Sequence, residues 1–559
     1  MPADDSIRKI EEVLSKPPTF TGVNYDDGQV AHLPKWMQHP LVASAYTVGL
    51  PSSILLFVIS QVLAIVVGAF HRTVHSTANR HIYSIVFGSL FLFVNFGHTS
   101  FHVLFLGGLV YILVPRLPVK IMPNCIFIIC MMYLSMYHLW NMWTAFGIWI
   151  VDASVPLMVL VFKLSAFAQN YHDGVQLKNG KKLHDKPHLH EFYSERALMN
   201  YPTLIEFASF CLFYASLLSG PFIEMKPYLA FIDQSMFKEY GLQSAPSSTT
   251  ATLTTLAKAC CIYGLIFLSG FFPVVGFVAS PQFLQDTSFI YRLAYVLFAV
   301  PLFRTKYYFT WYLSDAACQS CGFGFNGLTR SDKEGASPVT KWDRQNNSRI
   351  MSVEFSSSVQ GFTDNWNVSI SDALKYYVYL RITTPNCLRK IFPNPKSFSM
   401  IATRITSALW HGFYPSYYAF FLSVNLANEV DTLSKKFVLP HTISADGRPI
   451  VAFRIVYNFC SSVVMFFLMN YFGSAFALLR ISDALSLWSL LYWCGHVFCI
   501  VIIIICRFFP RPKTHTKDMN AFLLQKFIAS TFKEIFSFGT LLSSENRSMR
   551  NGHNRNKIL

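Results

Sequence analysis

Residues 53–70 read SILLFVISQVLAIVVGAF, a stretch without a single charged side chain. A helix needs roughly 20 mainly apolar residues to cross a bilayer, so this stretch predicts a transmembrane helix. In lipid, the backbone of such a segment must form its hydrogen bonds internally, which favours a helix over any irregular conformation. Further apolar runs follow at residues 82–94 with a continuation to 114, 126–143, 148–167, 203–218, 253–278, 289–303, 397–409, 414–426, 453–478 and 485–506.

The composition of the whole chain agrees with this interpretation. Of its 559 residues, 52% are hydrophobic and 14% are charged, whereas an ordinary soluble domain has about 25% charged residues. No long polar block separates the runs. The sequence therefore predicts one all-α, polytopic membrane protein with about eleven transmembrane helices. We expect a polar segment at residues 1–40, a membrane-spanning domain at 41–507 and a basic tail at 508–559. Residues 1–49 lack the pattern of a cleavable signal peptide, so the first span is expected to direct insertion.

The net charge of +16 is concentrated beside the predicted spans. Residues 507–559 contain ten Lys and Arg residues against three acidic ones, which predicts a cytosolic tail by the positive-inside rule. Within that tail, residues 519–538 mix apolar and basic residues in a pattern typical of an amphipathic helix on the membrane surface. Charge placed in this way predicts contact with the bilayer, its anionic lipids or an anionic substrate, and no nucleic-acid partner.

The chain has 12 cysteines, most of them inside apolar runs, where a cysteine behaves as a small hydrophobic residue. Cys318 and Cys321 form a CxxC pair, but a tetrahedral zinc site needs further ligands. The sequence therefore predicts no metal site and no bound cofactor.

Residues 407–418 read SALWHGFYPSYY and place His411 between two apolar runs. One interpretation is a structural histidine that is hydrogen-bonded to a neighbouring helix. The other is a functional site, because ionisable groups at membrane depth usually mark one. Burial disfavours the charged imidazolium, so a buried His411 is expected to be neutral, as a general base requires. Gly412 and Pro415 predict a helix break directly after it, and a broken helix is tolerated where it lines a cavity.

Residues 364–381 read DNWNVSISDALKYYVYLR, in which Trp366 and Asn367 open an amphipathic, aromatic-rich helix that ends at Arg381. Taken alone, the polar residues at its start could serve as helix caps. Asn367-Val-Ser369 is also a glycosylation acceptor pattern. The neighbouring Asn346-Asn-Ser348 is the better acceptor if its loop is lumenal.

Five further segments complete the pattern: NYHDG at residues 170–174, SGPFIEMKPY at 219–228, RTKYYFTW at 304–311, GFGFNG at 322–327 and KWD at 341–343. Together, and in this order, these segments resemble those of the membrane-bound O-acyltransferase family. The resemblance covers roughly residues 165–428. It implies that Asn367 and His411, 44 residues apart, face each other in a central reaction chamber within the membrane.

The forms WHGFYPSYY and YYVYLR are most similar to the lysophospholipid acyltransferase branch of that family. The resemblance therefore implies transfer of an acyl group from acyl-CoA, as co-substrate, to a lysophospholipid in the endoplasmic reticulum membrane. It implies His411 and Asn367 as catalytic residues. Six other residues are candidates for substrate binding: Trp366, Trp410, Tyr308, Tyr417, Trp342 and Asp343. Four departures from the family's usual residues are expected near the substrate walls, where they affect head-group and acyl preference: Ala373, Ile370, Ser416 and the segment Ser314-Asp-Ala-Ala317.

In the mechanism that the resemblance implies, His411 accepts the proton of the lysophospholipid hydroxyl as its oxygen attacks the thioester. Asn367 orients a reactant or donates a hydrogen bond to the oxyanion. Lys306 and Arg381 are candidates for contact with CoA phosphates, the alternative being ordinary charges at a membrane interface.

Two other functions fit parts of the sequence. A related enzyme could acylate a protein or a neutral lipid, and a transporter also uses broken helices and membrane histidines. A transporter would leave the Asn367 and His411 motifs unexplained, and the intact pair also disfavours a catalytically silent scaffold. The sequence leaves open the head group, the acyl chain and the oligomeric state.

Overall fold

The computed structural model describes residues 30–48, 50–278, 280–329, 338–382, 395–443 and 450–508. The predicted tail from residue 509 onward, with its amphipathic segment at 519–538, lies outside these ranges. Most of the predicted N-terminal polar segment, residues 1–29, does so as well.

Helices form nearly all of the first part of the described chain. They are α1 Lys35–Val48, α2 Ser52–His71, α3 Thr77–Phe96, α4 Ser100–Leu113, α5 Met122–Thr144, α6 Ser154–Lys178, α7 Pro187–Arg196, α8 Leu204–Cys211, α9 Tyr214–Leu217, α10 Met225–Ile232, α11 Ser235–Lys238, α12 Thr249–Phe271, α13 Pro281–Asp286 and α14 Phe289–Cys321.

After α14 the chain is more irregular before long helices resume. Its elements are β1 Leu328–Thr329, β2 Val339–Thr340, α15 Ile350–Glu354, α16 Val359–Trp366, α17 Val368–Ala373, a π-helical turn Leu374–Tyr379, α18 Pro395–His411, α19 Pro415–Val438, α20 Val451–Leu478, α21 Ile481–Leu490 and α22 Cys494–Phe508. The two strands pair antiparallel, with Leu328 opposite Thr340.

Among the described residues, five helical segments are long and apolar enough to cross a membrane: α2, the α3–α4 pair, α5, α12 and α20. A sixth is the pair α21 and α22, which is bent by 69°. The predicted class, an all-α polytopic membrane protein, is confirmed. The number of such spans is smaller than the eleven predicted, because some apolar runs fold differently. The run at residues 203–218, for example, divides into the short helices α8 and α9, and α6 carries the buried polar residues Lys163 and Asp173.

Two hydrophobic clusters form most of the interior. The first joins α2 to α10 with the C-terminal part of α14 and includes Trp410. The second joins the N-terminal part of α14 with α19, α20 and α21. Helix α14 passes through both clusters. Its 33 residues span about 50 Å at 1.5 Å per residue.

Local sequence explains where α14 begins and ends. The side chain of Ser288 accepts a hydrogen bond from the Tyr291 N–H, which caps the first turn. At the other end, Gly322 has a φ of +104°, a conformation that L-residues with a Cβ rarely adopt. A Cβ on Gly322 would also lie 2.8 Å from the Ala245 Cβ. The helix therefore stops at Cys321, after it has traversed both clusters.

Candidate active site

His411 is the last residue of α18, at a break between two helices. Gly412 follows with a φ of +116°, and Pro415 stands at the first position of α19. Proline suits that position because its missing N–H would have no partner in the helix. The helix break predicted after His411 is thus present.

The hydrogen bonding of His411 fixes which ring nitrogen carries hydrogen. Its Nδ1 lies 2.7 Å from the carbonyl oxygen of Ser407, one turn earlier in α18. Since a carbonyl oxygen only accepts, Nδ1 must be the donor. In the neutral ring, the lone pair therefore lies on Nε2. This is the tautomer that a base acting through Nε2 requires.

Four aromatic rings surround the imidazole of His411. Their centroids lie between 4.7 and 6.2 Å from it, and they belong to Trp410, Tyr417, Phe421 and Phe476. Tyr417 and Phe476 stack on each other at 4.5 Å. The wall therefore combines residues of α18, α19 and α20, which only the fold brings together. Of the predicted substrate-binding residues, Trp410 and Tyr417 lie here.

Two hydrogen bonds hold Trp410 in place beside His411. Its indole Nε1 donates to the Met158 carbonyl oxygen of α6 at 2.8 Å. Its own carbonyl oxygen accepts from Nε2 of His138 at 3.1 Å. His138 lies in the apolar run of α5, and the sequence analysis did not single it out. It could have been predicted as a site residue, because an ionisable side chain inside a predicted span usually marks a functional site.

Asn367 lies in a second helix break, between α16 and α17. Its φ and ψ are −125° and 78°, outside the helical region. Its side-chain oxygen is buried and has no hydrogen-bond partner among the described residues. A buried amide oxygen without a partner is costly in a protein interior, so it marks a position where a ligand can supply a donor.

Trp366, the residue before Asn367, packs into an aromatic group on α14. Its ring lies 5.0 Å from Trp311 and 5.2 Å from Tyr308. The Tyr308 hydroxyl donates to Oε1 of Glu354 at 2.7 Å. Two more predicted site residues, Trp366 and Tyr308, therefore lie on the Asn367 side and hold its helix break against α14.

Aromatic rings also connect the two sides. Phe476, which contacts His411, lies 6.3 Å from Trp149. The ammonium group of Lys306 sits over Trp149 at 4.3 Å and over Tyr307 at 5.3 Å. Tyr307 in turn lies 5.9 Å from Trp366. No hydrogen bond joins Asn367 to His411 in the described structure; aromatic rings and the Lys306 ammonium group lie between them.

A family comparison decides the class of this protein. Residues 136–474, more than half of the chain, match the model of the membrane-bound O-acyltransferase family, and they include both helix breaks. The chain belongs to this family. It is an acyltransferase, as the sequence analysis predicted.

Named relatives extend the match beyond the family model. The chain is 29% identical to lysophospholipid acyltransferase 2 of Arabidopsis thaliana, over 85% of this chain and 98% of the relative. It is 28% identical to membrane-bound glycerophospholipid O-acyltransferase 1 of Homo sapiens, over 86% and 93%. Lysophospholipid acyltransferase 6 of Drosophila melanogaster is 25% identical over 85% of this chain but only 64% of its own length.

Arg381 and Lys306, the two candidates for contact with CoA phosphates, differ in whether an acidic side chain pairs with them. Arg381 forms a two-point ion pair with Asp173, one contact being Nη1 to Oδ1 at 2.9 Å, and lies over the Tyr193 ring at 3.7 Å. Lys306 has aromatic neighbours and no carboxylate within ion-pair distance in the described ranges. Of these two basic residues, only Lys306 has no carboxylate partner in the described ranges.

Trp342 and Asp343 contact the short sheet rather than the rings around His411. The Trp342 indole donates to Oγ1 of Thr340 at 3.1 Å and packs 5.8 Å from Phe325. Asp343 accepts a hydrogen bond from the Asn326 side chain at 3.0 Å. These contacts secure the short sheet, and the structure does not bring the two residues to His411.

Several sequence features have structural partners of their own. Ser369 accepts a hydrogen bond from the Phe222 N–H at 3.0 Å, and Ser348 is buried, so both acceptor patterns for glycosylation are engaged in packing. Among the departures from the family's usual residues, Ser416 is fully buried and donates to the Leu479 carbonyl. Ala373 is also fully buried. These two lie in the protein interior rather than on an open substrate wall.

One polar cavity lies elsewhere in the enzyme, lined by residues that include His71, Arg72 and Arg80. Arg72 donates to the Ala245 carbonyl at 2.8 Å and Arg80 to the Ile232 carbonyl at 2.9 Å. Both arginines thus secure loop and helix ends. In the described part of the chain, no group of three or more His, Cys, Asp or Glu side chains is arranged to hold a metal ion.

Proposed function

We propose that this protein re-acylates lysophospholipids by direct transfer from acyl-CoA, with His411 as the general base and Asn367 as its partner. The observation that carries the proposal is the His411 hydrogen bond to the Ser407 carbonyl, which leaves the Nε2 lone pair available. The named relatives from Arabidopsis, human and Drosophila are all acyltransferases of lysophospholipids or glycerophospholipids. They confirm the predicted class of acceptor.

The transfer needs one attacking oxygen and one leaving sulfur. The lysophospholipid hydroxyl oxygen attacks the thioester carbonyl carbon while its proton moves to Nε2 of His411. The tetrahedral intermediate then collapses, the C–S bond breaks, and the leaving sulfur takes the proton from the imidazolium to give free CoA. Proton transfer by a positioned side chain contributes about 10²–10⁴-fold to the rate. The thioester is already activated, so no acyl-enzyme is required.

Asn367 has a complementary role in this proposal. Its buried side-chain oxygen has no partner among the described residues and can accept a hydrogen bond from a donor group of a bound substrate. The amide nitrogen of the same group is then available to donate to the oxyanion. Loss of one such donor costs about 10²–10³ in turnover.

Lys306 is our candidate for the group that meets a substrate phosphate. Its ammonium group lies over the ring of Trp149, which also contacts Phe476 on the His411 wall. A cation over aromatic rings is attracted to their faces, but a phosphate oxygen would add a charge-assisted hydrogen bond. Arg381 is not part of this proposal because Asp173 already neutralises it.

The membrane setting suits two substrates of different solubility. We place the enzyme in the endoplasmic reticulum membrane, where the lysophospholipid arrives from the bilayer and acyl-CoA from water. A protein or neutral-lipid acceptor is less well supported, since the relatives named above act on lysophospholipids or glycerophospholipids by name. A transporter would not account for an aromatic wall around a histidine with a free Nε2.

An acceptor-by-donor activity matrix tests the proposal. The full chain is expressed in microsomes that lack the native activity and is supplied with labelled acyl-CoAs. Acceptors are lysophospholipids of several head groups, diacylglycerol, a sterol and a secreted peptide. We expect acyl-CoA-dependent product from at least one lysophospholipid. Product from diacylglycerol, sterol or peptide alone, or no product from correctly inserted protein, would contradict the proposed acceptor.

A further inference from the structure

The helix break at Asn367 leaves backbone groups without partners in their own helices. The last carbonyl groups of a helix have no intrahelical donor, and its first N–H groups have no intrahelical acceptor. At membrane depth, an unsatisfied backbone group is especially costly. In this protein the missing partners come from the loop at residues 341–349, which runs between β2 and α15.

Asn347 caps the beginning of α17 with two different oxygens. Its backbone oxygen accepts a hydrogen bond from the Val368 N–H at 2.9 Å. Its side-chain oxygen accepts one from the Ser369 N–H at 3.0 Å. Val368 and Ser369 are the two residues directly after Asn367, and Asn347 is only 2% exposed. One buried residue therefore fixes the chain on the C-terminal side of the break.

Arg349 holds the chain on the N-terminal side. Its N–H donates to the Asn365 backbone oxygen at 3.0 Å, and its Nη1 donates to the Asn365 side-chain oxygen at 3.1 Å. Asn365 precedes Asn367 by two residues. The loop thus contacts the backbone on both sides of Asn367 and leaves its side-chain oxygen without a partner.

Asp315 attaches this loop to α14. Its Oδ2 accepts a hydrogen bond from the Asn347 N–H at 3.0 Å, and the residue is buried. The same helix carries Tyr308 and Trp311, which pack against Trp366. Both the polar and the aromatic supports of the break therefore rest on one long helix that is packed into both hydrophobic clusters.

We infer that Asn347, held by Asp315, is a positioning residue that sets the orientation of the Asn367 side chain for acyl transfer. The inference rests on the proposed function. Asn347 is not a catalytic residue in this inference, because its side-chain oxygen and its backbone N–H and oxygen are engaged by the backbone of α17 and by Asp315. Its effect is on geometry, and a misplacement of about 1 Å in a catalytic group can cost about 10²-fold in rate.

The first test compares three variants in the full-length enzyme. Asn347→Ala and Asp315→Ala each remove a buried acceptor, and we expect kcat to fall at least about tenfold while both KM values stay within about twofold. Asp315→Asn keeps an oxygen that accepts the Asn347 N–H, so it should recover most of kcat. Asn95→Ala is the matched control: Asn95 is also buried, and it bonds Ser60 and the Phe91 carbonyl away from the site.

The second test asks whether Asn347 acts through Asn367. In an Asn367→Ala background, Asn347→Ala should cost less than about twofold, because residues that act as a unit are non-additive. A full additional loss of kcat would overturn the inference, as would normal kcat in Asn347→Ala or a fall equal to that of Asn95→Ala. If the Asn367→Ala background is too slow to measure, the difference between Asp315→Ala and Asp315→Asn decides. Absence of transfer by the wild-type enzyme would instead overturn the proposed function.

Discussion

The two helix breaks of the site are supported in different ways. Around Asn367, hydrogen bonds from Asn347 and Arg349 fix the backbone on both sides. The His411 ring itself makes one hydrogen bond in the described structure, to the Ser407 carbonyl, and aromatic rings line the wall around it. One side of the site is a polar framework and the other is an apolar wall.

In the proposed mechanism, this difference follows from the role of each residue. Asn367 would act through an amide whose direction decides which atom it contacts, so its backbone has to be held. His411 would exchange a proton, for which an aromatic wall that excludes water and leaves Nε2 available is suited. The polar loop at residues 341–349 therefore has a structural role: it supplies hydrogen-bond partners that the backbone of a broken membrane helix lacks.

Removal of the base should give the largest effect. We expect His411→Ala to lower kcat by about 10²–10⁴-fold, since the attacking hydroxyl loses its proton acceptor. The measurement is acyl transfer from labelled acyl-CoA, normalised to correctly folded protein. His496→Ala is the control, because His496 also lies among aromatic rings and bonds Ser423 at 3.0 Å. Near-normal turnover in His411→Ala would refute the assignment.

Removal of the Asn367 side chain should lower kcat slightly less than removal of the His411 side chain. Asn367→Ala is expected to lower kcat by about 10²–10³-fold, the cost of one oxyanion donor. Thermal stability should change little, because the side-chain oxygen of Asn367 has no partner to lose. The exposed Asn179→Ala serves as the control in the same assay. A rise in KM without a fall in kcat would assign Asn367 to ground-state binding instead.

The smallest effect on kcat is expected at Trp342, which contacts the short sheet. Trp342→Phe removes the hydrogen bond to Thr340 but keeps an aromatic ring against Phe325. A single neutral hydrogen bond contributes about 1 kcal/mol, so kcat should stay within about tenfold of wild type. Kinetics with several lysophospholipids would measure this. A selective rise of KM for one acceptor would place Trp342 in substrate binding and extend the site towards the sheet.

The sequence predicted much of the site but not its surroundings. His411 and the break after it could be predicted because Gly412 and Pro415 act locally on the backbone. Asn367 was predicted from its resemblance to a family motif. His138 and Asn347 were missed for different reasons: His138 carried a usable signal, an ionisable residue inside a predicted span, whereas an asparagine in a polar loop has no local pattern that distinguishes it from a structural residue.

Other features could not be predicted because they depend on partners that lie far away in the chain. Arg381 was a candidate for contact with a phosphate, but in the structure it is paired with Asp173, 208 residues earlier. The described residues contain fewer helices of spanning length and hydropathy than the sequence has apolar runs, because hydropathy does not reveal where a run divides into short helices, as α8 and α9 do. Both outcomes depend on packing between distant segments.

The sequence by itself determined that this chain lies in a membrane, is helical and breaks its helix after His411. Those features follow from hydrophobicity and backbone conformation, which act over a few residues. Only the tertiary structure decided which rings surround His411, which loop satisfies the broken helix at Asn367 and which of Lys306 and Arg381 has a carboxylate partner. These depend on long-range contacts, because a polar group in an apolar interior is defined by the partner that the fold brings to it.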